Sequence, residues 1–185
     1  MVSRPKIEEN IGVLMGGVSS EREISLKSGR AVVTGLQAAA CRVCALEIDT
    51  DDEKKILDIL TREGIDVAFV ALHGKFGEDG GIQAVLERAG IPFTGSGARA
   101  SRLAMNKVLT QRLLREKHLP VPDHAALSRG SAEEIPKLSA DLGGLPLVVK
   151  PACEGSSIGI TIVREASQWP QALEEAFRYG PEVLV

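Results

Sequence analysis

Aromatic side chains are scarce in this chain: one Trp, one Tyr and four Phe among 185 residues. Its cores must therefore be built from Leu, Ile, Val and Ala. No apolar run approaches the ~20 residues that a membrane-spanning helix needs. The opening segment, MVSRPKIEEN, lacks the apolar centre of a secretory signal, so a soluble cytoplasmic protein is expected. Three cysteines, an odd number, argue against a disulfide framework. Cys41 and Cys44 form a C-x-x-C, but inside a strand-like run and with no second pair to complete a zinc site, so they read as ordinary strand cysteines. Net charge is −3 and no Lys/Arg block appears, which disfavours a nucleic-acid partner. What remains, 44% hydrophobic and 25% charged residues, is the composition of an ordinary globular protein.

The pattern of apolar residues predicts a β-α-β-α-β-α-β order over the first half. Strands are expected at 11–15, 41–48, 66–72 and 91–94. The intervening helices are a first one with a stripe at Ile24, Ser28, Ala31, Val32, Gly35, Leu36 and Ala39, a second over 52–63, and a third carrying Ile82, Val85, Leu86 and Ala89. Ser20 and Glu23 have the spacing of a capping box. Such an order predicts a parallel sheet with right-handed crossovers. Gly95-Ser96-Gly97 marks a boundary, giving domains 1–97 and 98–185. The second part is expected to hold helices near 98–104, 106–117, 131–142 and 167–179. Its strands are expected at 145–150, 158–163 and from 182, the first two spaced as a hairpin in an α+β fold.

Four segments concentrate chemistry. The most specific is HGKFGEDGGIQA, His73 to Ala84, where an imidazole, two carboxylates and four glycines follow an apolar strand and open a helix. An open α/β sheet keeps its ligands outside the carboxyl ends of its strands, and a helix start offers unpaired N–H groups. His73, first past the strand, is placed for substrate, while Glu78 and Asp79 are expected to cap N–H groups of the turn. In Gly16-Gly17-Val18-Ser19-Ser20-Glu21, the carboxylate is expected in a first helical turn, stabilised there by about 0.3–1 kcal/mol and available to a substrate ammonium. That turn matches neither G-x-G-x-x-G nor a Walker sequence. The third segment ends a buried strand in Lys150-Pro151, followed by Glu154-Gly155-Ser156-Ser157-Ile158-Gly159, whose hydroxyls and flexible backbone suit phosphate oxygens. The fourth, Met105-Asn106-Lys107, opens a helix with a cation.

In this order and at this spacing, GGVSSEREISLKSG, HGKFGEDGGIQA, PFTGSGARASRLAMNK and VVKPACEGSSIG resemble the D-alanine:D-alanine ligases, which are ATP-grasp enzymes, over Ile11 to Val185. The resemblance implies an α/β fold: an N-terminal parallel-sheet, Rossmann-like (pre-ATP-grasp) domain followed by a truncated α+β ATP-grasp domain. It implies that ATP phosphorylates one D-alanine and the amine of a second attacks the acyl phosphate, for peptidoglycan synthesis. Carried over by position, Glu21 holds the first D-alanine's ammonium and His73 lines the same subsite. Lys107 and Lys150 bind ATP phosphates. Ser156, in the loop closing over the phosphates, helps orient the substrates, linked in the family to Glu21 through a lid tyrosine. Ser157 adds a phosphate-loop contact, and Glu154 matches an acid of that loop. The family's adenine hinge, lid tyrosine, transition-state arginine and Mg²⁺ ligands are expected beyond Val185, so these 185 residues are expected to be inactive by themselves. A homodimer is expected of the full-length enzyme. D-alanine:D-lactate or D-alanine:D-serine joining, and a non-catalytic fragment, are the alternatives. Glu165, Glu174 and Glu175 are expected to be solvated charges rather than metal ligands.

Overall fold

Strand β1 (Asn10–Gly16) is buried at every position, as expected of a central parallel strand covered on both faces. The computed structural model describes residues 8–130 and 135–185. The chain divides into two compact units, Met1–Arg102 and Leu103–Val185. Both the parallel sheet of the first and the antiparallel hairpin of the second agree with the expected α/β architecture.

In the first unit, β1 pairs in parallel with β2 (Arg42–Ile48) and β3 (Val67–Val70), in the order β2-β1-β3. The expected fourth strand is reduced to one parallel bridge, Ala68 to Phe93. Pro92 has no N–H to offer a ladder. The side chain of Thr94, rather than its backbone, accepts the Val70 N–H at 3.1 Å. Helices α1 (Arg22–Ala38), α2 (Glu53–Arg62) and α3 (Gly81–Ala89) cover the sheet. One core joins Leu14, Ile48, Ile56, Leu60, Ile82 and Leu86; another joins Ile11, Val13, Met15, Leu26 and Ala71.

Two helix faces differ from the pattern read in the sequence. In α1, Val32 and Leu36 of the expected stripe pack against the core, but its buried positions are Ser25, Leu26 and Gly29, while Ile24 is 60% exposed. Gly29 lets the helix lie flush against Met15 of β1, because a Cβ there would overlap the methionine side chain. In α3, Gln83 is buried and Ala89 is exposed. The expected capping box at Ser20 and Glu23 does not form, because the helix begins at Arg22 and Glu21 is the N-cap residue. Cys41 precedes β2 and packs with the second of these cores, whereas Cys44 lies in β2 and packs with the first. Burial and then Glu63 push the Cys44 thiol up, the opposite of a redox-active C-x-x-C.

Ser25 is fully buried and fastens three elements together. Its hydroxyl accepts the Gly16 N–H at 2.9 Å and donates to the Ala71 carbonyl at 2.6 Å. Ser25→Ala leaves both backbone groups buried without that partner. We expect a loss of about 1–3 kcal/mol in denaturant unfolding of the first unit. A change below about 0.5 kcal/mol, the range of a neutral surface substitution, would contradict this role.

In the second unit, β4 (Ala126–Ser128), β5 (Leu147–Pro151), β6 (Thr161–Val163) and β7 (Glu182–Leu184) form an antiparallel sheet in the order β4-β7-β5-β6. Pro151, expected to start a loop, still pairs with Val183, and β6 begins three residues later than expected. Helix α7 (Trp169–Phe177) buries Trp169, Ala172, Leu173, Ala176 and Phe177, one continuous face, against Val149, Val163 and Val183. Helix α6 (Ile135–Asp141) is shorter than predicted, and the part of that prediction at 131–134 lies outside the described residues. Helix α4 (Ala98–Met105) crosses the division between the units, and α5 (Lys107–Glu116) follows it. Among the described residues no helix is long and apolar enough to cross a membrane.

Candidate functional site

At the carboxyl end of β1, Gly16 and Gly17 both take positive φ (94° and 90°), turning the chain back toward α1. Arg22 holds this turn: its guanidinium donates to the carbonyls of Gly17 (3.0 Å) and Ile48 (2.9 Å) and pairs with Glu47 at 2.6 Å. Ser19 then joins two loops. Its hydroxyl accepts the Glu21 N–H at 3.2 Å and donates to the His73 carbonyl at 2.7 Å. Glu21, Ile24 and Ser28 follow at helical spacing, so they share one side of the start of α1.

His73 lies three residues past β3, not directly after it. Its Nε2 is 3.1 Å from the Ser28 hydroxyl, and its Nδ1 is 3.3 Å from Glu78 Oε1. The other Glu78 oxygen accepts the Gly74 N–H at 3.0 Å. Asp79 accepts from Phe76 (2.9 Å) and from Gly81 (3.0 Å), the first residue of α3. Both acids thus satisfy backbone N–H groups of the loop, and Glu78 also faces the imidazole. Gln83, missed in the sequence, donates to the Gly77 carbonyl at 2.7 Å from inside the core and braces the loop from below.

The second unit gathers the other residues. Lys107 opens α5 behind the N-cap Asn106, whose side chain accepts the Leu109 N–H at 3.0 Å. Its own N–H donates to the Ala152 carbonyl at 2.8 Å. The Lys107 ammonium donates to the carbonyls of Pro151 (3.3 Å) and Glu154, two of its three N–H groups, tying α5 to the loop 152–159. A cation at a helix N-terminus opposes the macrodipole. Burial, and then the neighbouring Lys150, pull its pKa below the ordinary lysine value, with Cys153 and Glu154 working the other way. In the loop beyond, Ser156 and Ser157 both take positive φ (49° and 65°) and are exposed. Such strain costs about 1–3 kcal/mol per residue and gathers at ligand clamps.

Alternation along β5 puts Val149 inward, fully buried, and Val148 and Lys150 on the outer face. Val148 pairs with Ile162 of β6, and Lys150 pairs with Leu184 of β7. Leu184 is covered by Val108 of α5, but Val148 and Ile162 remain 41% and 49% exposed. An open apolar step therefore lies beside the lysine on one sheet face. Val148 opens the VVKPACEGSSIG motif, but the open apolar face is not read from it; the short run Leu147-Val148-Val149 has no period that tells an open face from a buried one.

Among the described residues, no group of three or more His, Cys, Asp and Glu side chains could hold a metal ion. Glu174 and Glu175 pair with Arg178 at 3.6 and 3.0 Å, and Glu165 caps a short 3-10 turn (Ala166–Gln168).

Two family models match the chain, described as D-ala D-ala ligase N-terminus, over residues 51–96, and D-ala D-ala ligase C-terminus, over residues 113–185. A D-alanine--D-alanine ligase of Geotalea uraniireducens is 48% identical over 177 residues, which is 96% of this chain and 55% of the relative. The crystal structure of a D-alanine--D-alanine ligase from Bacillus anthracis superposes with a TM-score of 0.83 at 35% identity, covering 95% of this chain and 56% of that one. The same enzyme complexed with ATP gives a TM-score of 0.79 at 34% identity, covering 95% and 57%. The chain spans about half the length of these relatives.

Proposed function

We propose, for a chain that belongs to the D-alanine–D-alanine ligase family, that its first unit binds D-alanine and its second unit binds ATP in the joining of two D-alanine molecules. The observation that carries this reading is the placement of Lys107 at the start of α5, where the carbonyls of Pro151 and Glu154 hold its ammonium beside the serine loop and burial lowers its pKa, a cation that a bound anion would favour. The serine loop 155–159 supplies hydroxyls next to it, and Val148 and Ile162 supply an apolar step for a planar base. Bound ATP would provide the phosphoryl group that activates the substrate carboxylate.

In the first unit, Glu21 receives the substrate ammonium, His73 flanks it, and the exposed Ile24, one turn along α1, is suited to a methyl group. This assigns a small amino acid with an aliphatic side chain, and the names of the curated relatives favour D-alanine over D-lactate or D-serine as the second partner. Ser156 and Ser157 orient phosphate oxygens, and Glu154 holds Lys107 through its carbonyl. Mg²⁺, a homodimer of the full-length protein and a cytoplasmic role in peptidoglycan synthesis complete the reading and rest on the family resemblance alone.

The test follows from the lowered lysine. An anion favours the protonated ammonium, so binding raises the pKa of Lys107 back toward its usual value. Between the lowered and the restored value, ATP binding should take up protons; at lower pH, where Lys107 is already charged, it should not. Calorimetric titration of ATP in buffers of different ionisation enthalpy measures this. Lys107→Met should weaken ATP at least tenfold, about 1.4 kcal/mol, and remove the uptake. ATP binding that Lys107→Met leaves unchanged, or no ATP binding at all, would refute the assignment.

A further inference from the structure

The ring of His73 is held from both sides, and the donors and acceptors around it can be counted. On one side stands Glu78, and a carboxylate only accepts, so a hydrogen bond across the 3.3 Å separation puts the hydrogen on Nδ1. On the other side stands the Ser28 hydroxyl, with one hydrogen and three acceptors near it: the Ile24 carbonyl at 2.8 Å, the Ser25 carbonyl at 3.3 Å and His73 Nε2 at 3.1 Å. In a neutral imidazole whose Nδ1 is the donor, Nε2 is an acceptor, and Ser28 O–H points at it. The two loop-side contacts of Glu78, to the ring and to the Gly74 N–H, use both oxygens and fix the carboxylate in place.

We infer that Glu78 and Ser28 are positioning residues that hold neutral His73 as its Nδ1–H tautomer, keeping the Nε2 lone pair turned toward the side of α1 that carries Glu21 and Ile24. Its functional meaning rests on the proposed D-alanine site: an ammonium is met there by a lone pair instead of a competing N–H. Ser28 O–H is then a place-holder. It can swing back to the Ile24 carbonyl, one helical turn behind it, at no loss in hydrogen-bond count. The ring nitrogen not engaged by its partner is the one left for chemistry, and the partner on the other nitrogen chooses which that is.

The tautomer is read directly from ¹⁵N chemical shifts of the imidazole rings in the 185-residue chain, at a pH where the rings are neutral. His73→Gln identifies the signal among the three histidines. Neutral imidazole in water prefers the Nε2–H form, which exposed His118 should show, whereas His73 should show the Nδ1–H pattern. Glu78→Ala should return His73 to the solution preference, and Ser28→Ala should keep the Nδ1–H form while shifting Nε2. A merely structural pair of residues would leave the tautomer where it is. A wild-type His73 in the Nε2–H form, or an unchanged tautomer in a folded Glu78→Ala protein, would overturn the inference. Added D-alanine should move the Nε2 resonance far more than Nδ1. An Nδ1–H ring that ignores D-alanine supports the tautomer assignment and counts against the substrate reading.

Discussion

Glu21→Gln should weaken D-alanine binding by at least tenfold. The carboxylate is the N-cap residue of α1, and its N–H is held by Ser19. Hydrogen bonds to charged groups contribute about 1.5–3 kcal/mol net, and about 1.4 kcal/mol is a factor of ten. Gln keeps the shape and one acceptor but removes the charge, so the loss isolates the ion pair. Titration of the chain with D-alanine, followed by backbone amide shifts near residues 19–28 and 73–78, measures it. Equal perturbation by D-alanine in wild type and variant would remove Glu21 from the ammonium site. L-alanine supplies the control for chirality.

The second large effect is expected at Gly29. The nearest atoms to a Cβ there belong to Met15: its own Cβ, next to the β1 backbone, then Sδ at 3.0 Å and Cγ at 3.2 Å. The thioether end can rotate away, but the Met15 Cβ cannot, so α1 must lift from the sheet. Overpacking of this kind costs about 1–3 kcal/mol, which outweighs the roughly 0.5–1 kcal/mol gained by replacing a helical glycine with alanine. Gly29→Ala should therefore lower the unfolding midpoint of the first unit. It should also weaken D-alanine, because Ser28 and Glu21 ride on the helix that moves. A more stable Gly29→Ala protein would show that α1 has room to spare, and the close approach would lose its significance.

Much of this architecture is legible in the letters. The HGKFGEDGGIQA loop, the stripe of α7 and the β5–β6 hairpin announce themselves, because glycines before a helix, a run of Trp169, Ala172, Leu173 and Ala176, and strand spacing are local signals. The misread parts are those decided by partners distant in sequence. Ser25 is buried because Gly16 and Ala71 need its hydroxyl, and no helical period foretells a serine on a core face. Ile24 is apolar yet exposed, which a stripe drawn from hydrophobicity assigns to the core. Strand status at 91–94 fails for a similar reason, since Thr94 satisfies Val70 through its side chain. The candidate site was legible as a set of residue types, Glu21, His73, Lys107, Lys150, Glu154, Ser156 and Ser157. What surrounds three of them, Ser19, Ser28 and Gln83 around Glu21 and the His73 loop, and the carbonyls of 151 and 154 around Lys107, required the fold.

The sheet order β4-β7-β5-β6 has a bearing on how the two units come into being. β7, residues 182–184, is wedged between strands that precede it by more than 30 residues, with Val185 and Ala125 exchanging backbone hydrogen bonds at 2.9 and 3.0 Å. By contrast, the three strands of the first unit are all contained in residues 10–70. Distant pairings are slow to close, and ribosomal emergence is amino-terminal first. On the ribosome, then, the first unit can reach its native form while the second still waits for its keystone.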